Sequence, residues 1–577
     1  MFVKRLPLAM WLSVLSIGFA GCGGSGGGGS SLAQREVVAP DSAVSGGALQ
    51  WQTALGAGEQ AQATIYDAQN TVVFHRDLAA DGDFQWTPFQ PGTYLINVGV
   101  SDGTGPIAAG QALVEITPRG GPLVTGTSHP LVALYTFEIP AGRTGNVTYT
   151  CDSCVDTVAR TFETPKLEGN GSEVGVLLPG LRPSSGYTVQ HTIYDGTTVE
   201  SRGPELSYAS GAIPVALPTV EVLSAPVNPG LNSLLAVAPI SGFQVIVDEN
   251  ATPVWYTSGT ETLLRPTGNG WTLIRSAYEL GIVDYTGQSI QSTTTAALNL
   301  QLVERGFTPT ATFHHEIRPL PNRRYAILGT SEKLVTDVQG PGTVDVLADT
   351  VIVVDDQMRV VWTWDAFDHM DVSRAARLGD VVENGFLGIQ LQFAEEANDW
   401  THMNSIDYDP ADGNLILSVR HQSWVIKIAY ENGTGDGHIV WRLGVGGDFT
   451  IVSDDPLPWF SYQHDANLLP DGRLAVYDNG NARIEETGEG NSRGQVYILD
   501  EVSRIAVLDV NIDLGVYSFF LGSAALTPDG SYHFNSGGQG LHDSIAADGV
   551  LHSSFRTTDQ FTYRSFRMSN PFDTSSN

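Results

Sequence analysis

Three histidines share one position relative to a recurring turn. His315 precedes Arg323, in the turn Pro321-Asn322-Arg323, by 8 residues, and His464 precedes Gly472, in Pro470-Asp471-Gly472, by 8 as well. His402 precedes Gly413 by 11, because Tyr408-Asp409-Pro410-Ala411 lengthens the approach. Seven residues past the same turns stand Thr330, Arg420, Asn479 and, after Pro528-Asp529-Gly530, Gly537. A strand into a tight turn and a strand out of it bring both sets to one end of a hairpin. His315, His402, His464, Arg420 and Asn479 are therefore expected on one rim. Asn404 joins them because residues two apart on a strand face one side. Ser523 joins because the last turn places Gly522 and Ser523 where the other hairpins carry His.

Imidazole serves as nucleophile, general base or general acid near neutral pH. The guanidinium fork fits a tetrahedral oxyanion. The combination suits transfer of an anionic group, sulfuryl or phosphoryl, in which one neutral imidazole attacks while Arg and protonated His stabilise the charge. A three-His metal site is the rival. Arg420 on the same rim opposes a cation there, so neither metal nor cofactor is expected. In the tandem His314-His315 the turn spacing selects His315, and which of the two faces the rim stays open. Strand alternation turns His421 to the opposite face and turns Glu316 and Asp465 away from the site. His533, His542 and His552 have no aligned counterpart and read as surface or loop residues.

These residues need a scaffold that repeats. The inner turns are Gly268-Asn269-Gly270, Pro321-Asn322-Arg323, Asp412-Gly413, Pro470-Asp471-Gly472 and Pro528-Asp529-Gly530. Gly413 to Gly472 is 59 residues and Gly472 to Gly530 is 58, with an insertion expected at 366–399. A second element, Val247-Asp248 to Val254-Trp255, then Val354-Asp355 to Val361-Trp362, supplies an outer strand pair. Four-stranded repeats of this length predict a β-propeller over 227–577, of six blades. The Trp residues at blade ends read as packing between blades. Upstream, 37–118 and 121–223 alternate short apolar strands with turns. They read as an immunoglobulin-like and a fibronectin III-like sandwich, the second from Leu181-Arg182-Pro183-Ser184-Ser185-Gly186-Tyr187. The predicted class is all-β throughout.

Composition narrows the partners. With 63 acidic and 30 basic residues the net charge is −33, and the basic side is 4 Lys and 26 Arg. This excludes a nucleic-acid binder and a surface drawn to anionic lipid. Lys4 and Arg5, the apolar run from Leu6 to Ala20 and Phe19-Ala20-Gly21-Cys22 read as a lipoprotein signal over 1–22, with Cys22 the lipidated residue. The Gly/Ser-rich stretch 23–36 reads as a tether. The chain is thus expected to be exported and lipid-anchored to the outer membrane, touching the membrane through that anchor only. Cys151 and Cys154 are expected to pair in a local disulfide.

A family resemblance is carried by Phe313-His314-His315-Glu316-Ile317 with Leu320-Pro321-Asn322. It continues in Asp399-Trp400-Thr401-His402-Met403-Asn404-Ser405-Ile406-Asp407-Tyr408, Ser418-Val419-Arg420-His421-Gln422-Ser423, Gln463-His464-Asp465-Ala466 and Tyr477-Asp478-Asn479-Gly480-Asn481. Together these stretches resemble the bacterial arylsulfotransferases. The resemblance implies a six-bladed propeller behind an N-terminal β domain, exported to the periplasm. It implies sulfuryl transfer from an aryl sulfate to a phenol, ping-pong through a sulfohistidine, without a nucleotide donor. Residue by residue it implies His464 as nucleophile, with His315, His402, Asn404 and Arg420 holding the sulfuryl oxygens and assisting proton transfer. The expected partners are the aryl sulfate and the phenol, with a homodimer as the assembly considered. The chain departs from the family in lacking any Cys in the propeller and in carrying two modules ahead of it. Two other readings use the same residues: a hydrolase of sulfate esters or lactones, and a non-catalytic binding propeller.

Overall fold

A computed structural model describes residues 32–574 apart from 39, 79–80, 103–104, 153, 155–159, 232, 258, 260 and 387–388. The expected signal with Cys22 lies outside the described residues. Strand Ala33–Gln34 pairs in parallel with Pro106–Thr117, so the folded body starts inside the stretch expected as tether, 23–36. The structure is all-β, and no described helix is long and apolar enough to cross a membrane.

Six successive groups of four mostly consecutive strands, several extended by further edge strands into larger sheets, build the C-terminal part among the described residues. The first comprises Thr262–Pro266, Gly270–Ser276, Glu279–Asp284 and Ser289–Thr294. The second runs from Phe313–Leu320 through Arg324–Thr336 and Thr343–Val354 to Val360–Asp365. The third and fourth begin with Met403–Asp409 and His464–Leu468, and the fifth with Ser523–Leu526. The sixth joins the C-terminal strand Thr562–Met568 to Leu234–Pro239, Val245–Asp248 and Pro253–Tyr256. The leading strands touch one another in this order, and Leu234–Pro239 touches Thr262–Pro266 to complete the circuit. Strand Val220–Ser224, expected within the second upstream module, adds instead to the edge of the fifth sheet through Leu551–Thr557.

Indole groups tie neighbouring sheets together. Trp255 Nε1 donates to Tyr285 O at 2.6 Å, from the sixth sheet to the first. Trp362 and Trp364 donate to Gly435 O and Gly437 O at 2.9 Å, from the second to the third. Burial of Trp255 and Trp364, and half-burial of Trp362, with their hydrogen bonds satisfied explains why large aromatics stand where neighbouring sheets meet.

Ahead of the six sheets stand two two-layered units. In the first, Leu49–Gln52 and Asp83–Trp86 pair apart from the larger sheet, and Phe84 stacks on Trp51 at 5.7 Å and on Phe74, from the larger sheet, at 6.0 Å. Its Val72–Asp77 strand pairs with Ser289–Thr294 at His75 and Gln291, so this layer runs on into the first of the six sheets. In the second unit, Ala133–Ile139 with its two neighbours faces the sheet of Thr144–Cys151 and Gly186–Asp195. Arg182 N donates to Tyr187 Oη at 2.7 Å, pinning the chain at the start of that strand. Cys151 and Cys154 form the expected disulfide.

Candidate active site

His315 is the third residue of the leading strand of the second sheet, His402 immediately precedes that of the third, and His464 opens that of the fourth. Regular pleating is broken at all three. The register shifts between Phe313 and Ile317, between Met403 and Ser405, and between His464 and Asn467. His315, His402 and Asp465 adopt φ of +56°, +45° and +50°. A bulge with a left-handed residue re-aims a side chain that alternation would point elsewhere. It also explains two departures from expectation. Glu316 and Asp465 do not turn away from the axis, and His402 and Asn404 do not share a task.

The tautomer of His464 follows from its neighbour. Asn479 Nδ2 donates to Ser518 O at 2.7 Å and to Leu521 O at 2.9 Å, which fixes the amide. Its Oδ1 lies 2.7 Å from His464 Nδ1 and therefore accepts from it. The lone pair of His464 stays on Nε2, which has no protein partner among the described residues. Burial, then the Arg420 charge, pushes the His464 pKa well below the ordinary value, so the ring is neutral at neutral pH.

Arg420 is buried with no carboxylate in contact among the described residues. One guanidinium nitrogen donates to His421 Nε2, another to Phe519 O at 3.2 Å, and the group lies 4.9 Å over the Tyr462 ring. Its Nε is buried without an acceptor. Burial lowers its pKa, yet an Arg side chain stays protonated in proteins. Asp380 and Asp399 act on it from further off, and a buried cation with no carboxylate in direct contact is suited to receive an anion.

His402 Nδ1 donates to Asp399 Oδ2 at 2.6 Å, and its ring stands 5.1 Å from that of His315. His421 departs from the expected opposite face. It stacks on His402 at 4.5 Å, because the strand ends at Val419 and the chain turns through 420–423, with Ser423 at φ +51°. Burial holds His421 neutral, with a pKa of about 4, its Nδ1 donating to Asp399 O at 2.7 Å. Burial opposes the Asp399 charge, but His402 and His421 beside it keep its carboxyl well below the usual range. Asp399, His402 and His421 place potential ligand atoms within 4.8 Å of one another. They do not fit a metal: His421 Nε2 is engaged by a guanidinium and both Nδ1 atoms donate hydrogen bonds.

Asn404 is turned into the wall. Its Nδ2 donates to Gln463 O at 2.8 Å and its Oδ1 accepts from Asp465 N at 3.3 Å, bracketing His464. Ser523 likewise spends its hydroxyl on the Ser565 backbone, at 3.2 Å and 3.3 Å. His533 and His542 are not at the surface. Both are buried and bonded to Ser565 Oγ, at 2.8 Å and 3.0 Å. His552 is half-buried against Asp529.

Along the axis next to the histidines lies a buried ionic cluster. Arg265, from the first sheet, reaches Glu316 of the second at 2.9 Å and Asp465 of the fourth at 2.6 Å. Arg564 of the sixth sheet binds Glu316 at 2.8 Å and Asn404 O at 2.6 Å. The two charge pairs balance, and they clamp the very residues that follow His315 and His464. Glu316→Gln leaves one guanidinium charge uncompensated and is expected to cost about 3–5 kcal/mol, read as a lowered urea midpoint with an unchanged slope.

Sequence reasoning missed Asp349, Tyr563 and Arg564, and left open which of His314 and His315 faces the rim. Asp399 lay within a quoted motif but carried no role. Tyr563 Oη donates to His315 O at 2.6 Å from the last strand of the chain, where no recurring spacing marks it.

Over 184 residues the chain is 27% identical to the arylsulfate sulfotransferase AssT of Escherichia coli O6:H1, and over 183 residues 28% identical to that of Lelliottia amnigena. Each match covers 24% of this chain and 30% of the relative, so the chain matches less than a third of the length of these curated relatives. Among solved structures, virginiamycin B lyase from Staphylococcus aureus is 10% identical, covering 58% of this chain and 88% of that one at a TM-score of 0.29. A family model described as Arylsulfotransferase (ASST) matches residues 220–568, from the edge strand of the fifth sheet to the end of the closing strand. With more than half its length so matched, the chain belongs to the arylsulfotransferase family.

Proposed function

We propose that this chain moves a sulfuryl group from an aryl sulfate to a phenolic acceptor, ping-pong through a sulfohistidine on His464, without a nucleotide sulfate donor. The observation that carries the reading is the pairing of a neutral His464, lone pair on an unpartnered Nε2, with a buried Arg420 that lacks a carboxylate. His464 Nε2 attacks sulfur, Arg420 holds the sulfuryl oxygens, and His315 and His402 serve the departing and arriving oxygens. Asn479 sets the His464 tautomer. Asn404 acts by holding the 463–465 backbone rather than by touching the sulfuryl group, and Ser523 holds the neighbouring strand.

The six sheets, in this reading, are the blades of a six-bladed propeller closed by the terminal strand, and the two upstream units are sandwich modules. The Arg182–Tyr187 hydrogen bond supports the fibronectin III-like assignment of the second. The N-terminal sequence supports export and lipidation at Cys22, with the body facing the periplasm or the cell surface.

The test is release of a chromogenic phenol from its sulfate ester with and without an added phenol. Acceptor-stimulated release supports transfer, and release indifferent to acceptor overturns it in favour of hydrolysis. The pH profile carries a second expectation. A depressed His464 pKa keeps the nucleophile deprotonated as pH falls, so kcat/KM for the donor should hold its neutral-pH value below pH ~6. A profile halved near the ordinary histidine pKa of about 6.5 would contradict it.

A further inference from the structure

We propose that Asp349 and His314 form a proton relay acting through His315, supplying the proton that His315 gives to the departing phenol oxygen and receiving one back from the incoming phenol. The proposal rests on the sulfuryl-transfer reading above and assigns work to the second member of the histidine tandem.

The geometry is specific. His314 Nε2 lies 3.0 Å from Asp349 Oδ1 and 3.3 Å from Gly329 O, both acceptors, so Nε2 carries a hydrogen. His314 Nδ1 lies 2.8 Å from His315 Nδ1, and a hydrogen bond between two ring nitrogens requires one proton between them. The rings stand nearly perpendicular, 86° apart. On a regular strand consecutive side chains point to opposite faces. Here the bulge between Phe313 and Ile317 and the positive φ of His315 turn them toward each other.

Asp349 is itself locked. Its other oxygen accepts from Thr401 Oγ1 and from Met403 N, each at 2.6 Å, on either side of His402. The groups facing the pair divide unequally. Asp349 and Asp399 act on His314, while His314, His402, His464 and Arg564 act on His315, with Tyr563 Oη donating to its carbonyl. Burial disfavours charge on both rings. Asp349 nonetheless raises the His314 pKa, whereas burial, then the charge on His314 and that of Arg564, pushes His315 well down. The proton of the pair therefore resides on His314, whose Nδ1–H donates to His315 Nδ1. Neutral His315 then keeps its own hydrogen on Nε2, which has no protein partner among the described residues.

In the first half-reaction the His464 Nε2 lone pair forms the N–S bond and the S–O bond to the aryl oxygen breaks. The electron pair left on that oxygen takes the His315 Nε2 proton. His315 Nδ1 takes the His314 Nδ1 proton, and His314 is left neutral with Nε2–H still on Asp349. In the second half the acceptor O–H proton passes to His315 Nε2 and the Nδ1 proton returns to His314. The O–S bond forms, the S–N bond breaks, and its pair returns to His464.

A proton donor matters most when the leaving oxygen is strongly basic. In His314→Gln, kcat/KM for phenyl sulfate should fall about 10²-fold or more, and for 4-nitrophenyl sulfate less than about tenfold. Asp349→Asn should show the same split. His314→Gln leaves the Asp349 contacts to Thr401 and Met403 in place, so it guards against a variant that merely unfolds. A wild type active on both donors whose variants lose equal factors on both overturns the relay alone. A wild type silent on both overturns the transfer reading, and the relay with it.

Discussion

His464→Asn abolishes acceptor-dependent turnover, by a factor of about 10⁴ or more, while the protein remains folded. The magnitude is that of removing a nucleophile from a unit whose other members cannot replace it. Asn retains a hydrogen-bonding group near Asn479 but offers no lone pair to sulfur. The wild type, mixed with donor and quenched before acceptor is added, should carry one sulfuryl group on the peptide that contains His464, and the variant none. Adding a phenol to the loaded wild type should discharge it. A variant that still turns over, or a sulfuryl group mapped to His315 or His402, would move the nucleophile elsewhere. Turnover without any trapped adduct would point to direct in-line transfer with His464 only a base.

Arg420→Met should make the protein more stable and far less active. Its guanidinium is removed from water without a carboxylate in contact among the described residues, its Nε buried without an acceptor. A buried unpaired charge is destabilising, and replacing it with an apolar chain of similar length relieves that cost, by about 1–3 kcal/mol. The same substitution removes the donors aimed at the developing charge and should lower turnover about 10²–10³-fold. Thermal unfolding and turnover therefore move in opposite directions, as expected where function holds strain in place. Arg420→Lys keeps the charge but not the fork, so it should recover little activity and none of the stability. A destabilised Met variant would mean that the hydrogen bonds to His421 and Phe519 outweigh the unpaired charge.

Much of this was legible in the residues. The recurring turns at Arg323, Gly413 and Gly472 set the phase of each hairpin, and counting from them selected His315, His402, His464, Arg420 and Asn479 without any contact information. That worked because a tight turn fixes register, and register fixes which residues lie level across neighbouring strands. The Cys151–Cys154 pair was legible for a similar local reason, since three residues of separation leave few alternatives.

Alternation was the rule that misled. It assigned His421, Glu316 and Asp465 to the far face and joined Asn404 to His402. Each of those residues lies beside a bulge, a positive φ or the end of a strand, where the two-residue period lapses. Nothing in a His or an Asp announces a left-handed backbone, which these residues adopt only when surrounding contacts over-determine it. The turn count gave His533 and His542 no aligned counterpart and so left them at the surface, although both are buried among serine and threonine hydroxyls that satisfy neutral rings.

The sequence by itself determined the all-β class, the repeat, the turn-anchored histidines and arginine, and membership of a sulfotransferase family. Those depend on local spacing, which a chain carries wherever it goes. Only the tertiary structure decided that Asn479 sets the His464 tautomer, that Arg420 stands without a carboxylate, that Asp349 and His314 back His315, and that Arg265 and Arg564 neutralise Glu316 and Asp465. Those facts join the first strand of the ring to the fourth and the last to the second. Such contacts have no sequence period and arise only when the closing strand brings distant residues onto one axis.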